Sequence, residues 1–429
     1  MLSKLKENQF YLDSLIFFIA SFSGGFGNYI FHSLTARLLS PSSYGELQSL
    51  ISLSVILGIP VGVLFLVITK YTAEFKAKNE NQKIYFLFKN FTKKFFLLGI
   101  LLFIFLLIVA RFILNFLALT SLIPLIVLIA SFIFVFSAAL NNALLQGLQK
   151  FKALSVISII SMVLKIILAF IFIKLSLAVS GVVGAIVLSG LVAYGLTFMP
   201  LRSLASLTTP TSLPSLPLRQ MLCFSAPVFF TLLFTTLLYN LDIILIKHFF
   251  TPELAGQYAA LALLGHIVFF IIGPLIAVMF PAAAAAHISS ERSLDCPNLH
   301  NSPDLPDAIL KKTLLMSVSV GLMALVFYFT FPALIIKIIV GVNYLELAPY
   351  LGWFALAMFL FSIVFLISQY FLSINQTRFV YFLGASVLAQ IIFIFIWHQS
   401  LWQIIWIMNG VMATCLAGLA IYYTKTLKH

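Results

Sequence analysis

The chain has 429 residues, of which 62% are hydrophobic, 15% aromatic and only 9% charged, with 45 Phe. Soluble domains carry charge on about a quarter of their residues, so this composition excludes a soluble globular protein and reads as an all-α polytopic membrane protein. The formal charge of +13 needs no nucleic-acid partner, because membrane proteins collect Lys and Arg on one side.

A hydrocarbon core about 30 Å thick takes about 20 helical residues to cross. Twelve apolar runs meet that length: 11–36, 45–69, 91–116, 121–146, 153–174, 179–200, 220–246, 256–286, 309–336, 348–373, 378–397 and 402–424. Backbone groups find no water in lipid and the alternation of barrel strands is absent, so each run is predicted to be a helix. The start MLSKLKENQF resembles a basic signal-peptide start, but the apolar segment after it is long and contains Gly24, Gly25 and Gly27. It shows no small-x-small cleavage site and is read as a retained first span.

Of the 25 Lys and Arg, five (Arg37, Arg111, Lys174, Lys247 and Lys337) fall on one side and Lys165 lies inside a span. The remaining nineteen lie on the side that holds both termini. The positive-inside rule makes that side cytoplasmic and the protein a multi-pass protein of the cytoplasmic (inner) membrane.

The chain also repeats itself. LLSPSSYGELQSL (38–50) aligns without a gap on FFTPELAGQYAAL (249–261), sharing [ST]-P-x-x-x-G, and both copies join a first helix to a second. Six spans between copies imply two halves of parallel topology, 1–205 and 206–429, each a six-helix bundle. Ser40 and Thr251 suit helix caps, with Pro41 and Pro252 in the first turn.

The repeat places Asn28 and Tyr29 in the first helix opposite Tyr239 and Asn240 in the seventh. His32 lies one turn past Asn28, and Asp242 lies beside Asn240. Such polar patches either line a cavity or tie helices together by hydrogen bonds. Arg37 and the pair Lys247–His248 end these helices, where cations anchor to headgroups or stand at an outer mouth.

Lys165 is the most costly residue of the set. It lies 13 residues past Lys152 and nine before Lys174, which at 1.5 Å per residue is about 20 Å and about 13 Å from the two ends. A lysine cannot snorkel the whole way. It is either a cavity cation for an anionic substrate or a structural lysine paired with Asp242 or helix carbonyls. Its approximate counterpart in the other half is Gln390.

Pro60, Pro227, Pro274, Pro281 and Pro332 fall within predicted spans and can kink them. The polar stretch 287–307 reads as a loop, and Trp397, Trp402 and Trp406 read as an interfacial belt. Cys223, Cys296 and Cys415 form neither a disulfide framework nor a zinc pattern, so no metal and no cofactor is expected. Neither a G-x-x-x-x-G-K-[ST] loop nor H-E-x-x-H or G-x-S-x-G occurs, and no catalytic residues or enzyme activity are expected.

Several segments together carry a family resemblance: GNYIFHSLTARLLSPSSYGELQSLISL, NNALLQGLQKFKALS (141–155), LDIILIKHFFTPELAGQYAALALL, AVMFPAAAA and GVNYLELAPYLGWFAL. In this order they resemble the polysaccharide-transporter branch of the multidrug/oligosaccharidyl-lipid/polysaccharide flippase superfamily. The resemblance implies two six-helix bundles in a V around a central cavity, a monomer among membrane lipids, and a lipid-linked oligosaccharide as cargo, with H+ or Na+ as coupling cation. The alternative is a multidrug or small-metabolite cation antiporter of the same superfamily. A polyprenyl-diphosphate sugar brings negative charge that wants cations, whereas an organic cation wants carboxylates. The interior offers one lysine and one shallow aspartate, which favours the flippase.

Overall fold

The computed structural model describes residues 23–205, 218–295 and 305–426, and these are helical almost throughout, with no strand among them. The helices are α1 (23–38), α2 (Pro41–Leu57), α3 (Ile59–Ala77), α4 (Asn81–Phe86), α5 (Thr92–Phe116), α6 (Leu122–Gly147), α7 (Phe151–Lys174), α8 (Ala178–Ala205), α9 (Leu218–Phe249), α10 (Pro252–Asp295), α11 (Leu305–Thr330), α12 (Pro332–Ile339), α13 (Ala348–Ser373), α14 (Val380–Ile396) and α15 (Leu401–Thr426). Among the described residues, nine helical segments are long and apolar enough to span a membrane, or ten if the bent pair α2–α3 is one span. The chain is an integral membrane protein. Of the two other expected spans, 11–36 lies partly outside the described residues, and 378–397 is α14, a shorter apolar helix of 17 residues.

Three boundaries differ from the sequence expectation. The second span breaks at Gly58, where α2 and α3 meet at 45°. Pro60 sits in the first turn of α3, where its missing N–H costs nothing, so the kink expected at this proline is a 45° bend between two helices. Pro332 likewise opens a separate α12 and does not interrupt α11. The stretch 287–307, expected as a loop, is helical up to Asp295 and again from Leu305, with 296–304 outside the described residues. Polarity marks exposure to water, and a helix that outruns the bilayer is polar without being a loop.

The contacts divide the chain into two compact units, with the boundary between Ala226 and Pro227 inside α9. In the first unit α6 is central: it packs on α3, α5 and α8, while α7 packs on α8. The second unit repeats this scheme, with α13 central on α10, α11 and α15, and α14 on α15. The repeat thus extends well beyond its short sequence signature. Both copies of the turn are capped as expected: Ser40 Oγ accepts from Ser43 N at 3.2 Å, and Thr251 Oγ1 from Leu254 N at 3.5 Å.

A second tie recurs with its chemistry reversed. Glu46, in the first turns of α2, accepts from Thr120 N at 3.2 Å and from its hydroxyl at 2.9 Å, just ahead of α6. Gln257, in the first turns of α10, instead donates to Glu346 at 3.4 Å, just ahead of α13. The carboxylate has changed sides, and the link between the second helix and the central helix is kept.

Lipid gives helices no hydrophobic drive to associate, so close backbone approach supplies much of the packing. Gly99 of α5 shows it: a Cβ there would come within 2.5 Å of the Phe132 carbonyl oxygen on α6. Gly195 of α8 has nothing within 4 Å of the same position. Both are interior helix glycines, for which alanine is intrinsically better by about 1 kcal/mol. Gly99→Ala is therefore expected to lower the melting temperature in detergent, because backbone cannot step aside, whereas Gly195→Ala leaves it unchanged or raises it.

Candidate functional site

The polar patch of α1 meets α7 and α2. Lys165, half-buried on α7, donates from Nζ to Asn28 Oδ1 at 2.8 Å, and the same ammonium lies 4.6 Å from the centroid of the Phe31 ring. Asn28 and Phe31 are three residues apart and present one helix face. An ammonium has three donors; here one meets a neutral amide and the charge rests over a π face. Among the described residues no carboxylate lies within ion-pair distance of Lys165, the two ion pairs found being Lys78–Glu74 and Lys83–Glu80.

His32 extends the patch toward α2. Gln48 Nε2 donates to His32 Nδ1 at 2.8 Å and to the Tyr44 hydroxyl at 2.7 Å, and all three side chains are buried. Thr35 satisfies its own hydroxyl on the Phe31 and His32 carbonyls, at 2.9 and 3.0 Å. Tyr29 is half-buried and Arg37 is exposed near the end of α1.

The second unit has its own set. The Tyr258 hydroxyl donates to Asp242 Oδ2 at 2.6 Å, and both residues are fully buried. Asp242 Oδ1 has no hydrogen-bond partner among the described residues. The pairs His32–Gln48 and Asp242–Tyr258 are each 16 residues apart. Both staple the first helix of a unit to its second across the shared turn, with imidazole and amide in one unit and carboxylate and phenol in the other.

The remaining expected site residues act as ties within the second unit. The Asn240 amide donates to the Thr236 carbonyl in its own helix at 3.2 Å. Tyr239 stacks on His266 with ring centroids 3.9 Å apart, and Phe269 and Phe361 complete the aromatic cluster. Gln390 is fully buried and donates to Met408 Sδ at 3.0 Å, joining α14 to α15. Lys247 is buried at the end of α9, so anchoring in headgroups does not describe it. Trp397 and Trp406 are exposed, Trp402 meets Tyr350 in a tilted contact at 4.7 Å, and Trp353 meets Trp406 at 5.0 Å.

Sequence reading singled out Lys165, Asn28 and His32 but missed Phe31, Gln48, Tyr44 and Tyr258. The i, i+4 spacing of Tyr44 and Gln48 beside the repeat was the available signal; nothing distinguished Phe31 from the other 44 phenylalanines.

A family model described as "Polysaccharide biosynthesis protein" matches residues 13–287, well over half of the chain. The chain belongs to the polysaccharide biosynthesis protein family. Among solved structures it is similar to a multidrug resistance MATE family transporter of the MOP superfamily in an inward-facing conformation, with a TM-score of 0.74 and 13% identity over 94% of this chain and 96% of that one. It is also similar to the lipid II flippase MurJ in an inward closed conformation, with a TM-score of 0.68 and 15% identity over 96% of this chain and 87% of that one. No curated protein matches it in sequence. At such identities the likeness is one of fold.

The neutrality of Asn28 makes a simple test of the patch. Asn28→Asp would set a carboxylate against the Lys165 ammonium and is expected to raise the melting temperature in detergent. Asn28→Leu leaves the ammonium without its acceptor and is expected to lower it. Equal melting curves for the two variants would show that Lys165 does not hold this position in the membrane.

Proposed function

We propose that this protein is a flippase that carries a lipid-linked oligosaccharide, built on a polyprenyl diphosphate, across the cytoplasmic membrane by alternating access for surface polysaccharide synthesis. The observation that carries the reading is Lys165. A charge at this depth is costly, yet its partner is a neutral amide and two ammonium donors remain for a ligand. A diphosphate supplies the missing counter-charge through charge-assisted hydrogen bonds. The family to which the chain belongs and its fold likeness to a lipid II flippase support the same reading.

In this reading twelve spans form two six-helix halves of parallel topology, with both termini cytoplasmic and the site residues Lys165, Asn28, Tyr29 and His32 serving substrate. Asp242 is assigned to coupling. Its unpartnered carboxylate oxygen beside the Tyr258 hydroxyl suits H+ or Na+, and Asp242→Asn should uncouple transport from the ion gradient while leaving lipid binding intact.

Topology is tested with single cysteines. A cysteine at position 79 should be shielded from an impermeant reagent in whole cells, and one at position 42 labelled; labelling at 79 from outside would overturn the orientation.

Function is tested in a deletion strain scored for surface glycan and for lipid-linked intermediate. Lys165→Ala should reach the membrane at normal levels yet lose export about tenfold or more, with Lys165→Arg retaining more activity than Lys165→Gln, because charge is what matters. Asn28→Asp should fail as Lys165→Ala does despite its greater stability. Sensitivity to cationic dyes should not change on deletion; dye sensitivity with normal glycan would identify a cation antiporter instead.

A further inference from the structure

The first unit has an open pocket of about 550 Å³ lined by α3, α6, α7 and α8, within the size range of small-molecule sites. No charged residue lines it. Its polar groups are the amides of Asn142 and Gln146, the hydroxyl of Ser158, and Tyr194, whose ring stacks on Phe134 at 6.0 Å and 17°. Neighbouring Asn141 is spent on structure, donating to the Thr197 hydroxyl at 2.8 Å, while Asn142 lines the pocket. Gly62 and Phe65 reach the lining from the half-helix beyond the 45° bend at Gly58.

These groups select a ligand class. An organic cation would call for a carboxylate and an anion for a cation, and an acyl chain has no use for two amides and a hydroxyl. Groups that both donate and accept, set beside aromatic faces, match a ring that is apolar on its faces and hydroxylated at its edge. The pocket is also in register with the cation. Lys165 lies seven residues beyond Ser158 on α7, two helical turns along the same face and about 10 Å away. That distance separates a diphosphate from the first sugars joined to it.

We propose that this pocket is a subsite for an uncharged sugar ring of the lipid-linked substrate, seated two turns of α7 from the diphosphate at Lys165. The proposal rests on the flippase function argued above and adds where the glycan is recognised. Sugar recognition then belongs to Asn142, Gln146 and Ser158, and charge recognition to Lys165. Substrates whose first sugars are neutral are accepted, and an acidic sugar in that place is disfavoured because the pocket offers it no cation.

The test is calorimetric titration of the purified full-length protein with farnesyl diphosphate and with the same lipid bearing one N-acetylhexosamine. In the unmodified protein the sugar should tighten binding about tenfold; Asn142→Leu and Ser158→Val should each cut that gain to about threefold or less, with bare farnesyl diphosphate held within about twofold. Lys165→Gln should weaken both compounds alike. A sugar gain that survives in both pocket variants, or no gain at all beside intact diphosphate binding, overturns the pocket assignment and leaves the flippase reading standing. Tighter binding of the bare lipid by Asn142→Leu would make the pocket a prenyl-chain site and also overturns it. Loss of the gain in Asn142→Leu, together with indifference to Lys165→Gln, supports the sugar pocket and removes the diphosphate from Lys165. Binding of neither compound by the unmodified protein sinks both. Ser158→Val decides the matter if Asn142→Leu does not fold.

Discussion

Hydrocarbon offers a backbone amide no partner except another backbone group, and the rest of this structure follows from that requirement. It makes the described chain helical and favours proline where a helix begins, as at Pro41, Pro60 and Pro252, although Pro200 and Pro227 stand inside α8 and α9. It also disciplines the side chains. Hydroxyls within the spans turn back onto carbonyls one turn earlier, as Thr35 does to Phe31 at 2.9 Å, Ser362 to Met358 at 2.7 Å and Ser368 to Val364 at 2.7 Å. Other polar residues are joined in pairs across helices, as His32 is to Gln48 and Asp242 to Tyr258. Against that background a lysine held by one amide and one ring stands out.

The two units show which parts of the architecture tolerate exchange. The contact scheme of the central helix is conserved between them, as are the capped turn and the link from the second helix to the segment ahead of the central one. The groups that make the link are not: Glu46 with Thr120 becomes Gln257 with Glu346, and His32 with Gln48 becomes Asp242 with Tyr258. A hydrogen bond needs one donor and one acceptor but is indifferent to which helix carries which. Geometry is therefore retained while charge is redistributed, and in the described residues the first unit has a cation at depth and the second a carboxylate.

Most of the fold was legible because the bilayer reduces it to lengths and hydropathy. The helices, the shared turn with its caps, and the cost of Lys165 all follow from residue type and spacing. What escaped depends on contacts between distant residues. The break at Gly58 lies in an apolar run whose hydropathy never falls, and Pro60 marked a kink there without giving its angle. The polar stretch around 287–295 looked like a loop because polarity reports water and not conformation. Gln390 matched Lys165 in approximate depth, but depth does not give direction, and its side chain turns into the contact between α14 and α15. Tyr258 was invisible as a partner of Asp242 because the turn brings α9 and α10 together without saying which of their faces meet.

The choice of asparagine at position 28 explains how a half-buried cation can remain available. An aspartate there would neutralise Lys165, and the attraction of that pair at low dielectric would have to be broken each time an anion arrived. An alanine would leave the ammonium desolvated with no acceptor, at a cost that favours its withdrawal toward water. An amide lies between these extremes. It holds the ammonium in place through one hydrogen bond, and Phe31 adds attraction without spending a donor. The charge is thus positioned but not cancelled, and the free energy withheld from the resting protein is left for an anion to gain. Binding strength is kept for the ligand by leaving the protein's own pairing incomplete.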